Sequence, residues 1–62
     1  MTIFRLHVLM DSAAFDDAPA TELARVLRQA AGLIAEGQTD PTALRDRNGN
    51  TVGGYIFATV EA

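Results

Sequence analysis

The sequence predicts an α+β domain in which a single helix packs on a three-stranded antiparallel sheet, in the chain order β-α-β-β. Three observations support this fold class. Apolar residues recur at helical spacing over residues 19–36. Residues 2–10 and 51–60 are rich in β-branched, aliphatic and aromatic side chains, which is typical of strands. The Asn48-Gly49 dipeptide, which precedes the second of these segments, is typical of a hairpin turn.

The composition narrows the class of protein. The chain has 62 residues, eight acidic against five basic side chains, a formal net charge of −3 and no cysteine. A disulfide framework and a thiolate zinc site are therefore ruled out, and an acidic chain without a basic run is poorly suited to bind nucleic acid directly. The sequence shows neither a secretory signal pattern nor a membrane-spanning apolar run. We expect one cytoplasmic domain over residues 1–62 that binds no cofactor.

The first predicted strand covers residues 2–10. With a period of two, one of its sides is wholly apolar and is expected to face the helix. That side consists of Phe4, Leu6, Val8 and Met10. The other side is mixed in character and is expected to face outward. It consists of Ile3, Arg5, His7 and Leu9.

The helix is predicted over residues 19–36, with one apolar stripe to bury. The stripe consists of Leu23, Val26, Leu27, Ala30, Leu33 and Ile34. Within it we expect Leu27 and Ile34 to be nearly fully buried against Phe4, Leu6 and Ile56.

The ends of the helix carry recognisable signals. Pro19 is tolerated in a first helical turn because its missing N–H would be unpaired there. Asp17 is the favoured N-cap and Thr21 the alternative, with a shorter helix. Gly37 matches a glycine stop after the last turn, and Phe15 is expected to fold back onto the edge of the core.

The hairpin admits two registers. A two-residue loop pairs Leu44 with Gly53. A longer loop begins a type I turn at Asp46, places Gly49 in the left-handed conformation, and pairs Leu44 with Val52. The second register is favoured because aspartate suits the first position of a type I turn. It places on the helix side of the last strand Val52, Ile56, Ala58 and Val60.

The order of the strands follows from the connections. A short second strand is predicted over residues 42–46. The helix returns the chain, so the first and second strands run parallel to each other, and the hairpin makes the third strand, over residues 51–60, antiparallel to both. Placing the long apolar third strand in the middle gives an all-antiparallel sheet of order 1-3-2.

Few residues are candidates for catalysis or for binding a metal or a phosphate group. His7 is the only histidine, has no second histidine to complete a metal site, and is interpreted as a surface residue. Residues 46–50 resemble a calcium loop in their oxygen side chains, but Thr51 stands where an EF-hand needs glycine and Phe57 where it needs glutamate. The adjacent Gly53-Gly54 does not open a helix as a phosphate loop would, and is expected to permit a bulge or a close approach. No catalytic residue and no metal ligand is expected.

Two surfaces are candidate partner-binding sites. Carboxylates are expected at one end of the molecule, where an anionic patch can meet a basic groove. They are Asp11, Asp16, Asp17 and Glu22; ordinary capping and a solvated rim are the alternative interpretation. The side of the sheet that the helix leaves open is expected to be more apolar than a free surface requires, unless a loop or the termini cover it. It would show Ile3, Arg5, His7, Leu9, Tyr55, Phe57 and Thr59, of which Tyr55 and Phe57 are the candidate contact residues.

In size and composition the chain is also similar to a known class of small proteins. With its acidic segment at residues 11–17 and its turn at residues 45–50, this small, lysine-free and cysteine-free chain resembles the accessory proteins of phages and mobile elements. Anti-CRISPR inhibitors are similar in size, and several of them occupy the DNA-binding surface of an effector complex.

This resemblance implies a non-enzymatic, DNA-mimicking inhibitor that binds a basic surface on a larger protein or nucleoprotein complex. No direct binding to nucleic acid or membrane is expected. The alternative is a small structural module that dimerises through the open side of the sheet, so that the protein is expected to be a monomer or a weak homodimer.

Overall fold

The computed structural model describes residues 1–61 and contains one helix on a three-stranded sheet. The sheet has the order β1-β3-β2, with both neighbouring pairs antiparallel. The predicted fold class and strand order are therefore confirmed. The elements are β1 (Thr2–Val8), a 3-10 turn (Ala13–Phe15), α1 (Pro19–Ala35), β2 (Thr42–Arg45) and β3 (Thr51–Thr59).

The segment between β1 and α1 carries the chain from the sheet to the helix. β1 ends two residues earlier than predicted, at Val8, and the Leu9 N–H makes a last bond to the Val52 carbonyl at 2.7 Å. The chain then forms the short 3-10 turn, which buries Phe15 in the core. The predicted position of Phe15 is thus confirmed.

The two ends of α1 differ in how well they were predicted. The N-cap is Ala18, which makes no side-chain cap bond. The prediction of Asp17 as the N-cap and the alternative prediction of Thr21 are therefore both wrong. The reason is that Pro19 takes the first helical position, which leaves the cap to the residue directly before it. The C-terminal prediction is confirmed: Gly37 has a φ of 91°, and its N–H and that of Gln38 bond the last carbonyls at 2.9 and 3.0 Å.

The hairpin combines features of both predicted registers. As expected for the longer loop, the Gly49 N–H bonds the Asp46 carbonyl at 3.0 Å and Gly49 has a φ of 84°. The pairing expected from that loop is wrong, however, because Leu44 pairs with Gly53. Between this pair and the pair formed by Arg45 with Thr51 the register shifts, and Val52 is the extra residue of a β-bulge.

The bulge changes which side of the sheet each later residue of β3 occupies. Two residues oppose one at a bulge, so Val52 and Tyr55 are both buried. Beyond it, Tyr55 pairs with Leu6 and Phe57 pairs with Phe4, on the helix side of β1. The prediction that placed Ile56 on the helix side, with Tyr55, Phe57 and Thr59 on the open side, is therefore wrong.

The core is centred on a narrower helical stripe than the sequence indicated. Glu22, Val26 and Ala30, spaced by four residues, are the buried positions of α1. Leu27 is 43% exposed and Ile34 is only half-buried, so the prediction that both are nearly fully buried is wrong. The remaining buried residues come from the 3-10 turn and the sheet: Ala14, Phe15, Leu44, Val52 and Tyr55.

The helix covers only the hairpin half of the sheet. Its middle lies beside β2, where the Arg45 N–H donates to the Gln29 side chain at 3.0 Å. The loop after its last turn lies level with Tyr55, whose hydroxyl donates to the Gln38 carbonyl at 2.6 Å. The other half of the sheet extends past this point, and the radius of gyration is 12.6 Å, against roughly 11 Å for a compact chain of this length.

Candidate functional site

The end of the sheet beyond the helix is two strands wide and exposes large apolar side chains. β2 reaches only as far as Tyr55 of β3, so the last residues of β3 have no strand neighbour on that edge. We call this end the sheet tip and define it by Phe4, Ile56, Phe57 and Val60. Their exposed fractions are 45%, 39%, 37% and 39%. Phe4 and Phe57 lie on the helix side of the sheet and Ile56 on the open side.

Aromatic contacts hold the sheet tip in place. The centroid of the Phe4 ring lies 5.1 Å from that of Phe57, in an edge-on arrangement, and 5.7 Å from that of Tyr55, in a tilted one. Aromatic pairs favour arrangements of this kind. Tyr55 itself is only 3% exposed. It therefore supports the two phenylalanines from below, and the expectation that its own ring lies on the open surface is wrong.

The open side of the sheet keeps only part of its predicted set. Arg5 and His7 are exposed there as expected and lie opposite Ile56 and Gly54 of β3. Ile3, on the same side, is partly buried, and Leu9 is exposed but lies beyond the end of β1.

The acidic residues divide into two groups. Asp11, Asp16 and Asp17 are exposed, and the ion pair found within residues 1–61 involves none of them. Glu22 is 5% exposed, so its predicted place on an open acidic surface is wrong. Because the hairpin packs on the first turns of α1, the Glu22 carboxylate pairs with Arg25 at 2.7 Å and accepts the Arg47 N–H at 2.7 Å.

The arginine that pairs with Glu22 extends this link between helix and hairpin. A second nitrogen of Arg25 donates to the Arg45 carbonyl at 2.8 Å. The hydrogen bond from Arg25 is also the main reason that the pKa of Glu22 lies below its ordinary value. Glu22 and Arg25 therefore have a structural role, and of the four carboxylates in the predicted acidic patch only the three aspartates are exposed.

Asp46 is a second buried carboxylate, and it joins three parts of the chain. The Ser12 hydroxyl donates to its Oδ2 at 2.6 Å, and the N–H groups of Asn48 and Asn50 donate to its Oδ1, each at 2.9 Å. These bonds, led by that from Ser12, lower the pKa of Asp46 to about 2. The sequence identified the turn that starts at Asp46 but gave no signal that Ser12, 34 residues away, would contact it.

Acid is expected to destabilise the fold through Asp46. Since its pKa falls from 3.8 to about 2 on folding, the folded state favours the ionised carboxylate. This stabilisation is present above about pH 4 and is lost as the pH falls through about 2. Asp46→Asn should lower the melting temperature at pH 7 and flatten its decline between about pH 4 and 2, as followed by circular dichroism. Asp40→Asn, at an exposed position, is the matched control; parallel pH curves for wild type and Asp46→Asn would contradict this assignment.

Within residues 1–61 no group of three His, Asp or Glu side chains is placed to hold a metal ion, no pocket indents the surface, and no helix is long and apolar enough to cross a membrane. Comparison of the chain with protein-family models, with curated proteins and with solved structures finds no match in any of the three.

Proposed function

We propose that the protein is a non-enzymatic, cytoplasmic protein-binding module that docks through the sheet tip. The observation that carries the proposal is the exposure of Phe4, Ile56, Phe57 and Val60 on a part of the sheet that the helix leaves uncovered. A two-stranded ribbon without cover is marginally stable in water. Large apolar and aromatic side chains exposed together at one end of a sheet are typical of interaction surfaces.

The arrangement of the aromatic side chains favours tight binding at a small surface. Binding-energy hot spots are usually large side chains that sit in well-packed surroundings and lose little freedom on binding. Phe4 and Phe57 contact each other and rest on buried Tyr55, which already restricts their rotamers. A partner that covers them therefore gains apolar contact at a low cost in side-chain entropy.

Histidine and serine are the side chains here that most often act in catalysis, and neither His7 nor Ser12 is placed in a catalytic arrangement. His7 lies exposed on the open side of β1. Ser12 donates its hydroxyl to the buried carboxylate of Asp46 and so links the 3-10 turn to the hairpin. Because the pKa of Asp46 is lowered to about 2, its carboxylate is a weak base for the Ser12 hydroxyl, which supports a binding role.

A double substitution at the sheet tip tests the proposal. Ile56→Thr with Phe57→Thr removes apolar surface and places at both positions a β-branched residue that suits a strand. The partner is first isolated from host lysate on the immobilised wild-type chain, and its affinity for purified variants is then measured by calorimetry. We expect at least a tenfold loss for the tip variant. The control is Leu27→Gln, which removes an equally exposed apolar side chain from the helix and should bind as wild type does. Unchanged affinity of the tip variant would overturn the proposal.

A second candidate function is the DNA-mimicking inhibitor, favoured by the unpaired, exposed carboxylates of Asp11, Asp16 and Asp17. Such a protein would occupy the basic nucleic-acid-binding surface of a larger complex, as anti-CRISPR inhibitors do. Its affinity would fall with added salt, because exposed charges are screened over about 8–10 Å near physiological ionic strength. In the same calorimetric experiment, Asp16→Asn with Asp17→Asn would then weaken binding while the tip variant would not.

A measurement of molecular mass distinguishes self-association through the exposed sheet from the two proposed binding functions. Sedimentation of the wild-type chain over a range of concentrations should report a monomer if the sheet tip serves another protein. A mass that doubles with concentration in the wild type, and not in the tip variant, would instead assign the tip to a homodimer.

A further inference from the structure

We propose that the free edge of β1 accepts an extended, acidic segment of the partner protein as a fourth strand of the sheet. This inference rests on the proposed function and names the binding mode and the chemistry of the partner's segment. Strand addition to an exposed edge is an established way for a small domain to bind a peptide, with main-chain bonds giving affinity and alternate side chains giving specificity.

The backbone of β1 presents unused hydrogen-bonding groups along this edge. At its two ends, the Leu9 N–H bonds the Val52 carbonyl at 2.7 Å, and the Val60 N–H bonds the Met1 carbonyl at 2.8 Å. Because bonding direction alternates along an antiparallel strand, the odd-numbered residues of β1 point their N–H and C=O groups toward β3. The even-numbered residues point theirs toward the free edge. These are Thr2, Phe4, Leu6 and Val8.

Apart from the charge of Arg5, the edge lacks the devices that usually prevent strand addition. Exposed edges are commonly protected by proline, lysine, bulges or very short strands. β1 contains no proline and no lysine, and its pairing with β3 runs without interruption over all seven residues from Thr2 to Val8. The opposite edge of the sheet is formed by β2, which has only four residues and the register shift of the bulge. The β1 edge is therefore the better template.

The charges on β1 determine which segment fits. Arg5 and His7 are exposed on the open side, and neither β1 nor β3 contains an acidic residue. A second copy that paired antiparallel over the whole strand would set Arg5 directly opposite Arg5 of that copy, and like charges in this position are destabilising. A carboxylate opposite Arg5 instead gives an opposite-charge pair, and a carboxylate opposite His7 accepts a hydrogen bond from the imidazole N–H.

The other side of β1 sets the remaining requirement. Phe4, Leu6 and Val8 face the helix side and are not fully buried. Apolar side chains at every second position of the added strand would extend this surface and continue the sheet tip. The favoured segment thus alternates β-branched apolar residues with glutamate or aspartate over about seven residues, the length of β1.

A designed probe carries this pattern. It is the fluorescein-labelled peptide Thr-Val-Glu-Val-Glu-Val-Thr with blocked ends. In the antiparallel register that centres its middle valine on Leu6, its two glutamates lie opposite Arg5 and His7. The control peptide has lysine in place of both glutamates. Fluorescence anisotropy with the wild-type chain should show at least tenfold tighter binding of the glutamate peptide.

Charge reversal on the protein is the decisive variant. Arg5→Glu should invert the preference toward the lysine peptide, and Arg5→Gln should reduce it without inverting it; both changes lie at an exposed position that leaves the core intact. Equal binding of the two peptides, or binding of neither, would overturn the inference. In that event the proposed function still stands if the tip variant loses the natural partner. Conversely, peptide binding with the expected charge preference supports the β1 edge even if the tip variant keeps that partner.

Discussion

Gly53→Ala is expected to destabilise the fold more than any exposed substitution, at or above the upper end of the cost of about 1–3 kcal/mol for overpacking. A Cβ atom at this position would overlap the His7 carbonyl oxygen and would lie 3.0 Å from the Val8 Cα. Both contacts are with backbone atoms of β1, which cannot rotate away as a side chain can. Accommodation requires β1 to move away from β3, its only neighbour in the sheet.

A second glycine provides the control for this prediction. At Gly32, in the exposed face of α1, an added Cβ would meet no atom within 4 Å. Gly32→Ala should therefore raise stability by up to about 1 kcal/mol, the difference in helix propensity between the two residues. Thermal melts followed by circular dichroism should thus shift in opposite directions for the two variants. A Gly53→Ala protein that melts as wild type does would show that the bulge and its register are misplaced.

Leu44→Ala is expected to lower the free energy of unfolding by about 2–5 kcal/mol, the range for truncating a buried leucine. Leu44 is fully buried on β2, in a core that includes Val26 and Val52. Because small domains have little stability to lose, we expect the variant to populate the unfolded state measurably even without denaturant.

The matched control is Leu27→Ala, which removes the same atoms from a side chain that is 43% exposed. It should cost less than about 1 kcal/mol, as is usual for surface positions. Urea denaturation followed by circular dichroism measures both. If the order of the two losses were reversed, the helix would bury the leucine stripe that the sequence indicated.

Local patterns were sufficient to predict most of the fold. The helix, its stop at Gly37 and the turn that begins at Asp46 follow from spacing and turn chemistry over a few residues, and the strand order follows from the connections between these elements. The register of the third strand cannot be predicted from such local patterns, because one extra residue at a bulge moves every later side chain to the other side of the sheet. The Gly53-Gly54 pair was the only signal of that bulge. A side chain at Gly53 is excluded by the backbone of His7 and Val8, which lie 46 and 45 residues earlier in the chain.

The candidate site was predicted only in part, because it too depends on the register and on contacts between distant parts of the chain. Exposed Phe57 and outward-facing Arg5 follow from composition and alternation, although the sequence placed Phe57 on the wrong side of the sheet. Glu22 and Asp46 are charged residues and would ordinarily be exposed. Their burial depends on partners that only the tertiary fold supplies, namely the Arg47 N–H for the first and the Ser12 hydroxyl for the second.

Amide hydrogen exchange along β1, measured by NMR, tests most directly the claim that a partner docks at the uncovered end of this sheet, along the free edge of β1. In the free protein the N–H groups of Ile3, Arg5 and His7 should be protected by β3, whereas those of Phe4 and Leu6 should exchange rapidly. Binding of the partner, or of the glutamate peptide, should slow exchange at the second group. Protection of Phe4 and Leu6 in the free monomer, or exchange there that binding leaves unchanged, would contradict the account.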